Sequence, residues 1–296
     1  ERLWPRLAAR LGERGDAFER VRTTRPGDAG RLAAQAQADG YDRIIAIGGD
    51  GTLQETIDGL LRAAATAQAA GPTQMTPAPA GPVGWIPAGT GNDFARSTGI
   101  PTDPLQALTL ALDGEPHPID VGQINGTYFL NVAGAGFDAK VAARVNRMRL
   151  RLGGLPTYLL AVLCELWLQK NAPLVVRWDG RSKRINSFLI AVGNAQYYGG
   201  GIRMCPGAQL DDGLLDVCIG GDFGRLEALR ALTRTFSGRH VALPKVEVLK
   251  AKTLRIDGPP DLPIHADGQT LGTLPAEIRV CPGALGFIAP RQAPIG

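Results

Sequence analysis

Residues 43–58 read RIIAIGGDGTLQETID, and this stretch decides the fold. Ile44, Ile45, Ala46 and Ile47 form a short apolar run with turn signals on both sides, the pattern of a buried parallel strand. Gly48, Gly49, Asp50, Gly51 and Thr52 follow it, and a helical pattern then runs over 52–70. Ligands of open α/β sheets collect at such strand ends. Glycines let backbone N–H groups approach phosphate oxygens, and a helix N-terminus adds partial positive charge. Asp50 alone would repel a phosphate; it makes sense if it holds Mg²⁺ through water or orients an incoming hydroxyl. The plainer reading is a capped turn, with Asp50 tied to nearby N–H groups and Thr52 as N-cap. The loop is neither a lysine-bearing P-loop nor a GxGxxG fingerprint.

A second loop lies downstream. PVGWIPAG (82–89) reads as a strand, and GTGNDFAR (89–96) follows it. Gly89, Thr90 and Gly91 can expose backbone N–H groups, Thr90 and Asn92 offer neutral polar contacts, Asp93 adds a carboxylate, and Arg96 could neutralise either that carboxylate or a phosphate; read alone, the segment is equally a helix cap. Two such loops at adjacent strand ends point to a nucleotide site. Around them, helices are expected over 3–14, 27–40 and 103–114, a short strand at VRTT (21–24), and a Pro, Thr and Ala loop over 71–81. Strand and helix alternate, so residues 1–116 are expected to form an open α/β domain.

The texture changes after Pro116. VGQING and TYFLNVAGAGF form a hairpin pattern around Asn125-Gly126. One helical stretch is expected over 138–170 and another near 224–237. The remaining pieces are short strands separated by Gly, Pro and Asp, which predicts a mainly antiparallel β domain over 117–296, with the C-terminal tail packing back on the first domain.

Composition narrows the function classes. The net charge of +4 slightly favours anionic partners such as nucleotides or acidic lipid headgroups, and no nucleic-acid-binding pattern is present. The four cysteines lack the spacing of a zinc or redox motif, and three of them sit in apolar runs as expected for buried thiols. No secretory signal is visible, and Leu155–Leu168 is too short to span a bilayer and contains Glu165. A cytoplasmic protein that visits the membrane surface is the expectation.

GGDGT followed by GTGNDFAR resembles the diacylglycerol kinase catalytic-domain family, which includes bacterial lipid kinases and the sphingosine and ceramide kinases. HPIDVG (117–122), NVAGAGFDA (131–139), CPGAQLDDGLLDV (205–217) and ADGQTLG (266–272) extend the resemblance over nearly the whole chain. It implies an N-terminal nucleotide domain similar to phosphofructokinase and NAD kinase, a C-terminal β-sandwich, and an active site in the cleft. It also implies an ATP- and Mg²⁺-dependent kinase acting on the hydroxyl of diacylglycerol or a similar lipid. By this resemblance, Gly48, Gly49, Asp50, Gly51 and Thr52 would lie along the ATP phosphates, with Thr24, Gly89, Thr90 and Asn92 assisting. Asp50, Asp93 and Asp120 would surround the catalytic Mg²⁺. Asp212, with the carbonyls of Gln209 and Leu214, would hold a structural Mg²⁺; an ordinary hairpin turn is the alternative for these residues.

Two departures stand out. The Asn-Pro-x-Ser-Gly loop with which the family usually begins does not appear in this sequence, and a preceding segment is expected to carry it. Where the family has Asp-Gly-Glu, this chain has Asp267, Gly268 and Gln269. The Glu is generally assigned as the base for the lipid hydroxyl. An amide has no useful basicity, so Gln269 could position that hydroxyl; Asp267 is the expected base, with transfer that needs little general-base help as the alternative. Competing expectations are another hydroxyl lipid as acceptor (a sphingoid base, ceramide or phosphatidylglycerol), NAD as acceptor, or a protein that binds nucleotide and lipid without turnover. A homodimer is also open. For membrane contact, the candidates are the basic run Lys140, Arg144, Arg147, Arg149 and Arg151 and the apolar helix around Tyr158, Leu159, Val162, Leu163, Leu166 and Trp167; the alternative is a solvated charged turn followed by a core-facing helix.

Overall fold

The computed structural model describes residues 3–15, 17–70, 80–148, 154–168 and 170–290. The chain divides into two compact units, Glu1–Ile119 with Gly283–Gly296, and Asp120–Pro282.

In the first unit, helices α1 (Trp4–Arg14) and α2 (Asp28–Ala38) precede strand β1 (Ile44–Gly48) and helix α3 (Asp50–Ala70). Strand β2 (Ala80–Pro87), α4 (Asp93–Thr98) and α5 (Pro104–Asp113) follow. β1 and β2 are parallel, with Gly48 opposite Pro87, so both loops leave the same end of the sheet. Leu53, Ile57 and Leu60 recur at helical spacing on one face of α3 and are fully buried, as are Val83, Trp85 and Ile86 of β2. The return segment after Gly283 pairs with β2 in parallel, Leu285 opposite Ala80 and Phe287 opposite Val83. Phe287 meets Phe94 edge to face at 5.2 Å. α2 crosses α3 at two glycines: a Cβ on Gly59 would lie 2.3 Å from the Gly30 Cα, so no larger residue fits this crossing.

Residues 17–24 form no strand, against the expectation for VRTT. The backbone N–H groups of Thr24 and Arg25 go to the Asp28 carboxylate at 2.9 and 3.1 Å rather than to a sheet neighbour. The expected loop over 71–81 lies outside the described residues except for its last two, which open β2.

The second unit is a β-sandwich. Its strands are the end of β3 (Pro116–Ile124), then β4 (Thr127–Phe129), β5 (Val132–Gly136), β6 (Ala172–Trp178), β7 (Arg181–Ser187) and β8 (Leu189–Gly193). A small ribbon of β9 (Tyr197–Tyr198) and β10 (Ile202–Arg203) precedes β11 (Leu215–Gly220), β12 (Val246–Ala251) and β13 (Thr253–Asp257). The last strands are β14 (Pro263–Ala266), β15 (Gln269–Thr273) and β16 (Ala276–Ile288). One antiparallel sheet runs β12-β11-β8-β5-β14-β15. Facing it, β16 pairs β13, β13 pairs β6 and β6 pairs β7, all antiparallel. Alternate residues of both sheets, among them Leu174, Val176, Val192, Val217, Ile256 and Ile278, make the buried core between them. The hairpin expected at Asn125-Gly126 is present: Ile124 pairs Thr127, and the turn residues have φ of 45° and 82°.

The stretch 138–170 holds two helices, α6 (Phe137–Arg147) and α7 (Gly154–Leu168), rather than one. They and α8 (Arg225–Thr235) pack through a separate apolar cluster that includes Phe137, Val162, Leu166 and Phe188. Among the described residues, no helix is long and apolar enough to cross a membrane.

Candidate active site

The two glycine loops of the first unit touch. A Cβ on Gly89 would lie 2.6 Å from the Gly49 Cα, and one on Gly49 would lie 3.2 Å from the Gly89 Cα. This approach is open only to glycine. Several bonds fix it. The Gly48 carbonyl accepts from Ala88 N–H at 2.9 Å and from the Trp85 indole at 3.0 Å. Asn92, held at φ 50°, accepts the Gly89 N–H through its side chain at 3.1 Å and returns a bond to the Gly89 carbonyl.

Asp50 opens α3 and reaches across to the second loop, where its Oδ1 accepts the Phe94 N–H at 3.0 Å. Its other oxygen converges with Asp93: a Cβ on Gly91 would lie 3.2 Å from Asp50 Oδ2 and 3.5 Å from Asp93 Oδ2. Asp93 is buried, with Arg96 Nε 3.7 Å from its Oδ1. Two carboxylates over a half-buried glycine suit Mg²⁺, which takes one or two protein carboxylates and completes its shell with phosphate oxygens and water. Thr90 and Gly89 are exposed, while Thr52 Oγ1 folds back over Gly48, where a Cβ would lie 2.6 Å from it.

Thr24 is committed elsewhere. Its hydroxyl and N–H both donate to Asp28 Oδ2, at 2.8 and 2.9 Å, and these bonds hold that carboxyl well below the usual carboxylate range. The turn is tied to α3 through the Gly27 N–H, which donates to Glu55 at 3.0 Å.

Asp120 and the Gln209–Leu214 segment come together in the second unit. Asp120 is buried, its Oδ2 accepts the Gly213 N–H at 2.6 Å, and its own N–H donates to the Leu210 carbonyl at 2.5 Å. Asp212 accepts the Leu214 N–H on Oδ1 at 3.0 Å and the Lys250 ammonium on Oδ2 at 2.6 Å.

Asp267 and Gln269 belong to the β14–β15 hairpin, whose turn is Asp267-Gly268 at φ 45° and 81°. The Asp267 Oδ1 accepts the N–H groups of Asn131 (2.9 Å) and Val132 (3.0 Å), and Oδ2 accepts that of Leu130 (2.8 Å). A carboxylate engaged this way fastens a turn and is badly placed to remove a proton, which speaks against Asp267 as the base. Gln269 is exposed at the start of β15.

Sequence reading passed over one buried pair. His265 Nε2 lies 3.0 Å from Asp138 Oδ2, both residues are almost wholly buried, and His265 Nδ1 has no hydrogen-bond partner. The two are separated by 127 positions, and only the pairing of β14 with β5 brings them close. The cysteines are free thiols; burial pushes Cys218 up to about 12 and Cys205 well above its ordinary value, so neither is a nucleophile.

An apolar cavity lies between strands β8, β11 and β12 and helices α6, α7 and α8, lined by Phe137, Val162, Leu166, Tyr198, Leu232 and His240. Beside it, Leu163, Trp167 and Leu168 of α7 and Leu226 and Leu229 of α8 are exposed, and Arg225 stacks over Trp167 at 5.3 Å. Arg144 pairs with Glu165 at 2.5 Å, and Arg147 is exposed. Arg149 and Arg151 lie outside the described residues, as do the side chains of Tyr158 and Leu159.

Residues 1–124 match the diacylglycerol kinase catalytic domain, and residues 131–289 match the YegS C-terminal NAD kinase beta sandwich-like domain. A protein of Mycobacterium tuberculosis named "Diacylglycerol kinase" is 37% identical over 291 residues, 96% of this chain and 88% of that one. One of Chromohalobacter salexigens, named "Probable lipid kinase YegS-like", is 32% identical over 293 residues, 96% of this chain and 90% of that one. A crystal structure from Bacillus anthracis superposes with a TM-score of 0.71 at 26% identity, over 91% of this chain and 85% of that one. With both halves matched and the relatives aligned over nearly the full length, the chain belongs to the diacylglycerol kinase-like family of lipid kinases.

Proposed function

We propose that this protein transfers the γ-phosphate of ATP, with Mg²⁺, to the hydroxyl of diacylglycerol or a closely similar lipid. The observation that carries this reading is the contact of the two glycine loops with Asp50 and Asp93 converging above Gly91. Backbone N–H groups of Gly49, Asp50, Gly51, Thr90 and Gly91, with the α3 N-terminus, would hold the phosphates. Asp50 and Asp93 would hold Mg²⁺, which when bound neutralises the charge of the transferring phosphoryl group. Phosphoryl transfer rests mainly on positioning and charge stabilisation, so an exposed Gln269 that orients the lipid hydroxyl suffices without a carboxylate base. In this reading Asp267 holds the turn that presents Gln269, and Asp120 braces the 209–214 segment.

The acceptor side is the second unit. The cavity beneath α7 and α8 has the apolar lining an acyl chain needs, but encloses only about 60 Å³, so the two helices must part to admit one. Trp167, Leu163, Leu168 and Leu226 would insert at the lipid surface, with Arg147 and Arg225 toward anionic headgroups. The protein would thus work at the cytoplasmic membrane face without spanning it.

The test is incorporation of radiolabel from ATP, with Mg²⁺, into lipid in mixed micelles of dioleoylglycerol, beside Asp50→Ala. Labelled phosphatidic acid made by the wild type and lost at least ~100-fold in the variant supports the reading, as expected when a group that stabilises the transition state is removed. ATP bound but never consumed with any lipid would overturn it. Label appearing in phosphatidylglycerol or a sphingoid base instead would favour a different hydroxyl lipid, a reading the "YegS-like" relatives keep in view.

A further inference from the structure

The turn between Gly207 and Asp216 has the oxygen-rich character of a divalent-cation loop, and a lysine of the neighbouring strand reaches three of its oxygens. β11 and β12 pair in a register that sets Lys250 opposite Asp216. From there the ammonium reaches three oxygens: Asp212 Oδ2 at 2.6 Å, Asp216 Oδ2 at 3.0 Å and the Gly207 carbonyl at 3.4 Å. The ammonium donates to Asp212 Oδ2 and to the Gly207 carbonyl, and it faces Asp216 Oδ2 as an ion pair without a hydrogen bond. The second Asp212 oxygen is taken by the Leu214 N–H. The Asp216 side chain is only 3% exposed, so its charge needs a cation close by.

We propose that Lys250 is the resident cation of the Gly207–Asp216 turn, and that this turn keeps its shape without a divalent metal. Mg²⁺ bound to Asp212 and an ammonium 2.6 Å from the same carboxylate repel each other, so the two compete for one place. The proposal concerns a site in the second unit and stands whether or not the lipid acceptor is diacylglycerol.

The experiment is thermal unfolding of the full chain without nucleotide, in EDTA and in millimolar Mg²⁺ or Mn²⁺. It compares the wild type with Lys250→Met and Lys250→Gln, and includes Mn²⁺ binding by calorimetry. The wild type is expected to have the same Tm in EDTA and in metal. The Lys250 variants are expected to lose about 4 °C or more in EDTA, as for removal of one buried charge partner. Recovery of Tm with metal and one additional Mn²⁺ site in the variants would show the competition directly. Loss of Tm on adding EDTA to the wild type overturns the proposal, and that arm needs no variant to fold. Variants as stable as the wild type in EDTA overturn it as well.

Discussion

Asp267 shows how a side chain with an expected chemical duty can have a mechanical one. Its three backbone N–H partners predict that Asp267→Asn presents an amide NH₂ to a donor, at a cost of about 1–3 kcal/mol for each polar group left unsatisfied. The expected outcome is a lowered Tm with kcat of the folded fraction within a few-fold of wild type and an unchanged pH–rate profile. A flattened acid limb would instead return Asp267 to the role of base. His240 gives a second residue-level prediction. Burial lowers its pKa, against the opposing bond to the Met204 carbonyl at 3.0 Å. The unfolded chain therefore takes up a proton below about pH 6.5 that the folded chain refuses, so stability is complete above that pH and falls as the pH drops below it. Tm measured between pH 7 and 5 should decline less steeply in His240→Gln. Sequence placed Asp50 and Asp93 at loop ends correctly as residues, but the 127-residue span between Asp138 and His265 left that pair invisible.

Helices, strands and turns were legible wherever local chemistry decided them. The Asn125-Gly126 hairpin and the Gly48–Thr52 strand-to-helix turn follow from φ preferences and hydrophobic period alone. VRTT misled because β-branched and basic residues satisfy a strand pattern, while the backbone at Thr24 and Arg25 is claimed by Asp28. The 138–170 stretch looked continuous because apolar residues recur at helical spacing on both sides of the break between α6 and α7. The loop contact yields a firm prediction at this scale. Gly89→Ala would put a methyl group 2.6 Å from the Gly49 Cα, forcing the loops apart. If these loops hold the phosphates as proposed, a shift of about 1 Å would cost on the order of 100-fold, read as kcat/KM for ATP. The α7–α8 tip makes another. Trp167 is 72% exposed and Leu226 equally so, hence Trp167→Ala combined with Leu226→Ala should weaken binding to anionic vesicles about tenfold or more while leaving Tm within a degree or two. Unchanged vesicle sedimentation would remove that face from the membrane.

At the scale of the molecule, the switch from alternating strand and helix to short strands marked the change of architecture near Pro116. What sequence did not reveal was which turn carries a cation of its own, since that depends on the β11–β12 register. If nucleotide binds the first unit, Mg-ATP at 100 times its Kd should stabilise that unit by about 2.7 kcal/mol, visible in calorimetry as a shift of its own transition. A shift confined to the second unit would contradict the assignment of the phosphate loops. The connectivity has one more consequence. The first unit is built from residues up to Ile119 and again from Gly283, with the whole β-sandwich inserted between. Its parallel neighbour to β2, and Phe287 against Phe94, are therefore synthesised some 200 positions after the strand they complete. On the ribosome the glycine loops must wait, with the edge of β2 uncovered, until the sandwich has emerged. The first unit begins before the sandwich and is completed after it, so a chain cut short anywhere in the sandwich would leave both units unfinished.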